Sequence, residues 1–315
     1  MAHNYVGKKF LNKKGECMKR VSQYFVLVTC IVMSQIAFAD DQPRDWIPAP
    51  PGTVGALLYW NHMSGDSMYG NGRRSSSNIN YVGNVVMFRA VTYYELAGMT
   101  ADFNALVPFG ELNLDVGSSK LNASGVGNPG AVFTLWPYND KENKRSIAVA
   151  QYLFFPIGNY SNKGALSLSE NWWRVKTEVN FTQGFELFPN HDATAEITGG
   201  VDFVTANTDY LDKGYTLTQD PVYSLEGHLT YSVTKDWFVS ADYYGHWGGA
   251  QSYSSHHDVN YINTQTLGAS AGYNLSKQWQ LLFSYKGDVY CENGVAAQTF
   301  LTRIAYFTNW DALFK

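Results

Sequence analysis

Between residues 171 and 247, apolar and polar side chains alternate with a period of two. Trp173, Val175, Thr177, Val179 and Phe181 fall on one face, and Arg174, Lys176, Glu178, Asn180 and Thr182 on the other. The pattern returns with Tyr223, Leu225, Gly227, Leu229 and Tyr231 opposite Ser224, Glu226, His228 and Thr230. It returns again with Trp237, Val239, Ala241, Tyr243 and Trp247 opposite Ser240, Asp242, Tyr244 and His246. A strand sends successive side chains to opposite faces, so each run predicts a strand with one apolar and one wet face. Comparable runs cover 53–61, 81–96, 99–112, 130–137, 146–157, 172–184, 193–205, 222–234, 237–247, 260–275, 279–290 and 298–309. That makes about twelve strands, an even number.

Gly, Asn and Asp punctuate these runs, at Ala97-Gly98, Tyr138-Asn139-Asp140, Pro189-Asn190-His191, Thr234-Lys235-Asp236 and Asn293-Gly294. Some connections are tight; others, at 63–80, 158–171, 209–220 and 248–259, are long and polar. No segment carries a helical period, and no fixed-length repeat marks a solenoid or propeller.

The apolar faces pack on each other in a sandwich and meet lipid in an outer-membrane barrel. Run length favours the barrel, because ten to twelve residues cross a bilayer at a tilt while ordinary strands average five or six. The aromatics at the run ends agree: Trp173, Tyr223, Trp237, Trp247, Tyr273, Trp279 and Trp310 suit membrane interfaces. The expected fold is all-β, a transmembrane antiparallel β-barrel with short periplasmic turns and longer outer loops. The wet faces then line a lumen. Their candidate residues are Arg174, Lys176 and Glu178, then Glu196 and Asp202, then Glu226 and His228, then Asp242, Tyr244 and His246, and finally Asp288 and Arg303. Tyr152 and Phe154 join them from run 146–157, which is apolar on both faces, and Phe88, Tyr94, Trp136 and Phe238 are placed inward beside them. The last run, with Phe300, Ile304 and Tyr306 on one face and Arg303 on the other, has the aromatic alternation that a barrel-assembly machine would read; Phe314 follows it.

Composition narrows the class. Charged residues are 16% and aromatics 16% of the 315 residues, a sparse and aromatic balance for a soluble domain. Mean hydropathy is only −0.25, which excludes a helical membrane protein. A net charge of −4 gives no reason to expect nucleic acid.

The N-terminus reads as a secretory signal over 1–39. Lys19 and Arg20 precede an apolar stretch, Ala37-Phe38-Ala39 supplies an A-x-A cleavage site, and Met18 is the expected start. Residues 40–52 form a polar, Pro-rich leader, readable as a flexible terminus or as a plug or strap. Residues 53–315 form the barrel. Cleavage removes Cys17 and Cys30, leaving Cys291 alone, a packed and inert thiol that forms no internal disulfide. The expected location is the outer membrane of a Gram-negative bacterium.

Few motifs carry chemistry. His62 and Ser64 share a strand face at a run end, and a barrel-surface lipid hydrolase would pair them as base and nucleophile; no orienting partner can be named, so a loop-edge polar pair is the plainer reading. His256-His257-Asp258, with His246, would be a metal set only with a second spaced pair, so a solvated tip is the plainer reading. The stretch from Gly125 to Gly130 lacks the Lys and helix of a phosphate loop. No catalytic residue, cofactor or metal is expected.

Gly125-Val126-Gly127-Asn128-Pro129, Pro156-Ile157-Gly158-Asn159-Tyr160, Asn171-Trp172-Trp173, Leu267-Gly268-Ala269 with Tyr273, and Asn293-Gly294 resemble, in order and spacing, the phenol-degradation meta-pathway family of outer-membrane channels. The resemblance covers roughly 50–310. Asn128 stands where the family usually has Asp, and Ala269 where it has Pro. The resemblance implies a monomeric channel of about twelve strands for small hydrophobic or aromatic solutes. The partners are then outer-membrane lipid, those solutes and the assembly machinery. A lipid hydrolase using His62 and Ser64 and a secreted β-sandwich binding protein are the alternatives, and an open lumen and a plugged one both remain compatible with the sequence.

Overall fold

A computed structural model describes residues 40–313, apart from 77, 163–165 and 190. The signal segment, Asn190 of its turn and Phe314 lie outside the described residues. Twelve strands close into one antiparallel barrel. They are β1 (Thr53–Gly70), β3 (Ile79–Leu96), β4 (Met99–Val116), β6 (Gly130–Asp140), β7 (Arg145–Phe154) and β8 (Arg174–Phe188). The circuit continues through β9 (His191–Val204), β12 (Val222–Ser232), β13 (Trp237–Gly248), β16 (Ile262–Asn274), β17 (Trp279–Cys291) and β18 (Gly294–Asn309). Each pairs with the next, and β18 closes on β1 from Thr53↔Asn309 to Tyr69↔Gly294. Closure leaves no edge amide unpaired, as a lipid-facing sheet requires. The fold is a barrel, so the sandwich alternative falls.

Alternation builds the wall with polarity inverted relative to a soluble protein. On β8, Arg174, Lys176, Glu178 and Asn180 are buried while Val175, Val179 and Phe181 are exposed. The other strands repeat this, with Leu58, Phe103, Ile197, Leu229, Phe283 and Ile304 among the exposed residues. An apolar surface that circles the whole molecule exceeds any patch a soluble monomer tolerates.

The two ends differ. At one, β3–β4, β6–β7, β8–β9, β12–β13 and β16–β17 are joined by tight turns, and Thr53 and Asn309 lie at the same end. At the other, the β17–β18 link is short, but most connections are longer and several carry strands of their own. β2 (Arg73–Ser76) extends the β1 edge, β5 (Ser119–Val126) pairs with β4, and β10 (Asn207–Tyr210), β11 (Tyr215–Gln219), β14 (Gln251–Tyr253) and β15 (His256–Val259) form a small separate sheet. Three stretches read as polar loops therefore contain strands. In 63–80 the ladder with β18 carries β1 on to Gly70, and β3 begins at Ile79. Pairing supplies the backbone hydrogen bonds there, so a Gly-, Ser- and Asn-rich stretch stays extended.

Candidate functional site

The lumen is filled from below by residues 40–47. The chain comes from Gly52, whose N–H donates to Tyr93 O at 2.8 Å, and turns back through 42–47 with Asp45 N–H on Gln42 O (3.0 Å) and Ile47 N–H on Arg44 O (3.3 Å). Residues 40–47 of the leader lie inside the barrel. Its side chains meet wall residues far away in sequence. Asp41 N–H donates to Glu226 Oε2 at 2.9 Å, and Arg44 N–H to Glu196 Oε2 at 2.8 Å. Trp46 Nε1 donates to Asp41 Oδ2 at 2.7 Å, and Trp136 Nε1 to Trp46 O at 3.0 Å. Asp45 stands between two guanidiniums, 2.5 Å from Arg303 Nη1 and 3.3 Å from Arg89 Nη1. Asp40 pairs with Lys286 and lies 3.3 Å from His246 Nε2.

The wall residues form a connected network around it. Arg174 joins Asp202 and Glu170, each at 2.8 Å. Lys176 pairs with Glu178 and lies 3.8 Å from Glu226 Oε1. His228 Nδ1 sits 2.8 Å from Asp242 Oδ1, which also accepts from Ser240 Oγ at 2.6 Å. Glu178 and Glu226 are 0% exposed, and each reaches a partner within this network. Tyr244 OH donates to Asp41 O at 3.3 Å, and Tyr152 OH to Asp41 Oδ1 at 3.4 Å. Tyr152 stacks on Phe154 at 6.3 Å between ring centroids. Asp288 accepts from Thr266 Oγ1 (2.6 Å) and Ala297 N–H (2.9 Å).

Above the leader lies a cavity of about 220 Å³. One side is apolar, from Tyr59, Met63, Val85, Met87, Leu106 and Leu301. The other is polar, from Arg174, His246, Lys286 and Asp288, and Asp40 and Gln42 make the floor. Two of the resemblance motifs meet directly, and two bond to neighbouring loop residues. Val126 N–H donates to Asn159 Oδ1 at 2.7 Å, Ser169 Oγ to Asn128 Oδ1 at 2.5 Å, and Asn171 Nδ2 to Asn207 Oδ1 at 3.0 Å. Gly125 serves this contact, with φ of 138° and a missing Cβ that would lie 2.4 Å from Asn159 Oδ1. Leu166 and Leu168, in the same loop, are buried with Tyr81, Leu112 and Leu114.

Two inward assignments are corrected. Phe88 is 44% exposed and Tyr94 lies on the same outer face of β3, because Met87, Arg89, Val91 and Tyr93 take the inner positions. Both faces of β3 are apolar, so polarity alone cannot orient it. Trp136 and Phe238 are buried inside. His62 and Ser64 do share a face, but it is the outer one, and β1 runs on past them to Gly70. His62 Nδ1 lies 2.9 Å from Asn84 Oδ1, whose amide nitrogen lies 3.4 Å from Glu111 Oε1. His256 and His257 are exposed, with His256 stacked on Tyr253 at 4.8 Å, while His246 faces the lumen. Two sets bring ligand atoms within 4.8 Å of one another: Asp40, Glu226 and His246, and Asp41, Glu178 and Glu226. Sequence reasoning missed Asp40, Asp41, Asp45, Arg89 and Glu170. The available signal was the run of acidic residues and the lone Trp46 just after the cleavage motif.

A twelve-stranded antiparallel barrel with a polar interior and an apolar exterior is a barrel of the outer-membrane type. A family model described as "Putative MetA-pathway of phenol degradation" matches residues 64–304, and the chain belongs to that family. No curated protein matches by sequence. Among solved structures, the COG4313 outer membrane channel from Pseudomonas putida F1 is similar with a TM-score of 0.80 at 24% identity, over 85% of this chain and 100% of that one. The transport unit of the autotransporter AIDA-I from Escherichia coli reaches 0.51 at 9% identity, over 87% and 95%.

Proposed function

We propose that the protein is an outer-membrane channel for passive uptake of small hydrophobic or aromatic solutes, gated by its own leader. The cavity above the leader carries this reading, because it offers an apolar wall next to a ring of polar groups. Small-molecule sites are mostly apolar with a few placed polar groups. Family membership and the channel described for the Pseudomonas putida structure support it. Tyr152, Phe154, Arg174, His246 and Asp288 would border the solute path, and Lys176, Glu178, Glu196, Asp202, Glu226, His228, Asp242, Tyr244 and Arg303 would hold the leader in it.

Two aromatic groups mark the bilayer limits in this reading. Trp237, Tyr273, Trp279 and Trp310 lie at the end with tight turns, where Trp237 stacks on Tyr273 at 4.4 Å. Trp173, Tyr223 and Trp247 lie at the other. From Trp237 to Trp247 a tilted strand climbs about 25 Å, the height of a barrel's apolar band. The tight turns then face the periplasm, and β18 supplies the assembly signal.

The test is uptake by proteoliposomes or by cells lacking other channels. Aromatic solutes should enter faster than sugars of equal size. Equal rates for both, or none for either, would remove the proposal.

A further inference from the structure

We propose that the lumen holds a receptor site for the chain's own mature N-terminal ammonium, built from Glu226, Glu178 and Asp41. It stands whatever solute the barrel carries. These three carboxylates converge within 4.8 Å and are all buried. Lys176 is the nearest cation, paired with Glu178 but 3.8 Å from Glu226 Oε1, beyond hydrogen-bond reach. Among the described residues, Glu226 Oε1 and Glu178 Oε2 have no hydrogen-bond donor, although both residues are 0% exposed. Buried carboxylate oxygens require donors, so the site is short of one.

The missing donor lies one residue away. Asp41 N–H is already on Glu226 Oε2 at 2.9 Å, and backbone dimensions put the Asp40 nitrogen within about 4 Å of the Asp41 nitrogen. Asp40 is fixed there by Lys286 and His246. In the uncleaved chain that nitrogen is an amide, uncharged and with a single N–H. The Ala37-Phe38-Ala39 motif directs cleavage to its other side. Hydrolysis breaks the Ala39–Asp40 C–N bond. Water gives its hydroxyl to the Ala39 carbonyl carbon and a proton to the nitrogen, which takes up a second proton from solvent. A neutral single donor becomes a cation with three, one residue from the amide that already meets Glu226. An ammonium also matches the chemistry the site already accepts from Lys176. Processing would therefore complete the lock that holds the leader in the lumen.

The experiment uses the mature protein extracted from outer membranes, with its N-terminus read by mass spectrometry. An amine-reactive reagent at pH 7 labels the α-amine in native and in heat-unfolded samples, with and without EDTA. The N-terminus should be Asp40, and its amine should label at least about tenfold more slowly in the native barrel, EDTA or not. Glu226→Gln and Glu178→Gln, each checked for heat-modifiable gel migration, should remove most of that protection. An N-terminus at another residue, native labelling at the unfolded rate, or protection unchanged in both variants would each overturn the proposal. Protection that vanishes in EDTA would overturn it in favour of a divalent cation on the same carboxylates.

Discussion

The two halves of the lumen use the same alternation and reach opposite chemistry. On β1, β3 and β4 most inner positions are apolar, Leu57, Tyr59, Met63, Val85, Met87 and Leu106 among them, with Arg89, Asp102 and Asn104 as polar exceptions. On β8, β9, β12 and β13 they are Arg174, Lys176, Glu178, Glu196, Glu226 and Asp242, and every one must be paired to be buried. Part of that pairing runs from strand to strand and part comes from the leader, whose Asp41 and Arg44 N–H groups meet Glu226 and Glu196, while Asp40 and Asp45 reach Lys286 on β17, Arg303 on β18 and Arg89 on β3. The difference teaches that the leader is seated against the charged half and tied at its sides by Lys286, Arg303 and Arg89, while the cavity keeps an apolar wall on β1, β3 and β4. One barrel thus holds a closure device and a pocket without either displacing the other.

The sharpest way to break this division is at Asp45. Asp45→Ala leaves the guanidiniums of Arg89 and Arg303 facing each other without their shared carboxylate. Breaking a buried pair by removing one partner costs about 3–5 kcal/mol. The expected result is a lower temperature for the heat-modifiable gel shift, with a rise in single-channel conductance as the leader comes loose. Unchanged conductance would mean that charge does not hold the leader.

Next in size is a steric test of the leader's seat. Arg44 lies over the Phe238 ring at 4.1 Å, and that ring lies against Gly272, where a Cβ would come within 2.1 Å of it. Gly272→Val must displace Phe238 and with it the guanidinium. Overpacking of this kind costs about 1–3 kcal/mol. Melting of the purified barrel should fall accordingly, and conductance should rise less than for Asp45→Ala.

The apolar half is probed at Met87, which lines the cavity and packs against the buried cluster around Tyr59 and Leu106. Met87→Glu should leave the leader in place and reduce aromatic uptake about tenfold, equivalent to about 1.4 kcal/mol. If uptake is unaffected while conductance changes, the two halves are not separable and the comparison fails.

How much of this was legible in the sequence depends on contrast across each strand. β8, β12 and β13 were oriented correctly because Arg174, Glu226 and Asp242 differ sharply from Val175, Leu225 and Ala241. β3 was not, because Phe88 and Tyr94 on one face are no more apolar than Tyr81 and Tyr93 on the other. The outer extensions of β1 and β3 were hidden by residues of low strand propensity, held by pairing that a local pattern does not contain. The leader was hidden for a related reason. An irregular segment has no period to read, and Asp41 meets its partner 185 residues away. Its acidic residues gained meaning only once the barrel had brought Lys286, Arg303 and Arg89 to one place.

The smallest effect expected comes from a pair of the same chemistry outside the lumen. Lys144 and Asp192 approach to 2.6 Å near the tight turns, with side chains 52% and 56% exposed. The pair is as close as the Arg174–Asp202 pair of the charged half, yet water solvates both ions before and after pairing, and salt screens them. Lys144→Ala should therefore shift stability by less than about 0.5 kcal/mol and leave conductance and uptake alone. Compared with Asp45→Ala by the same gel-shift assay, it separates burial from charge as the cause. Comparable losses in the two variants would show that pairing alone matters. A large loss only at Asp45 assigns the effect to the dry, enclosed geometry of the lumen.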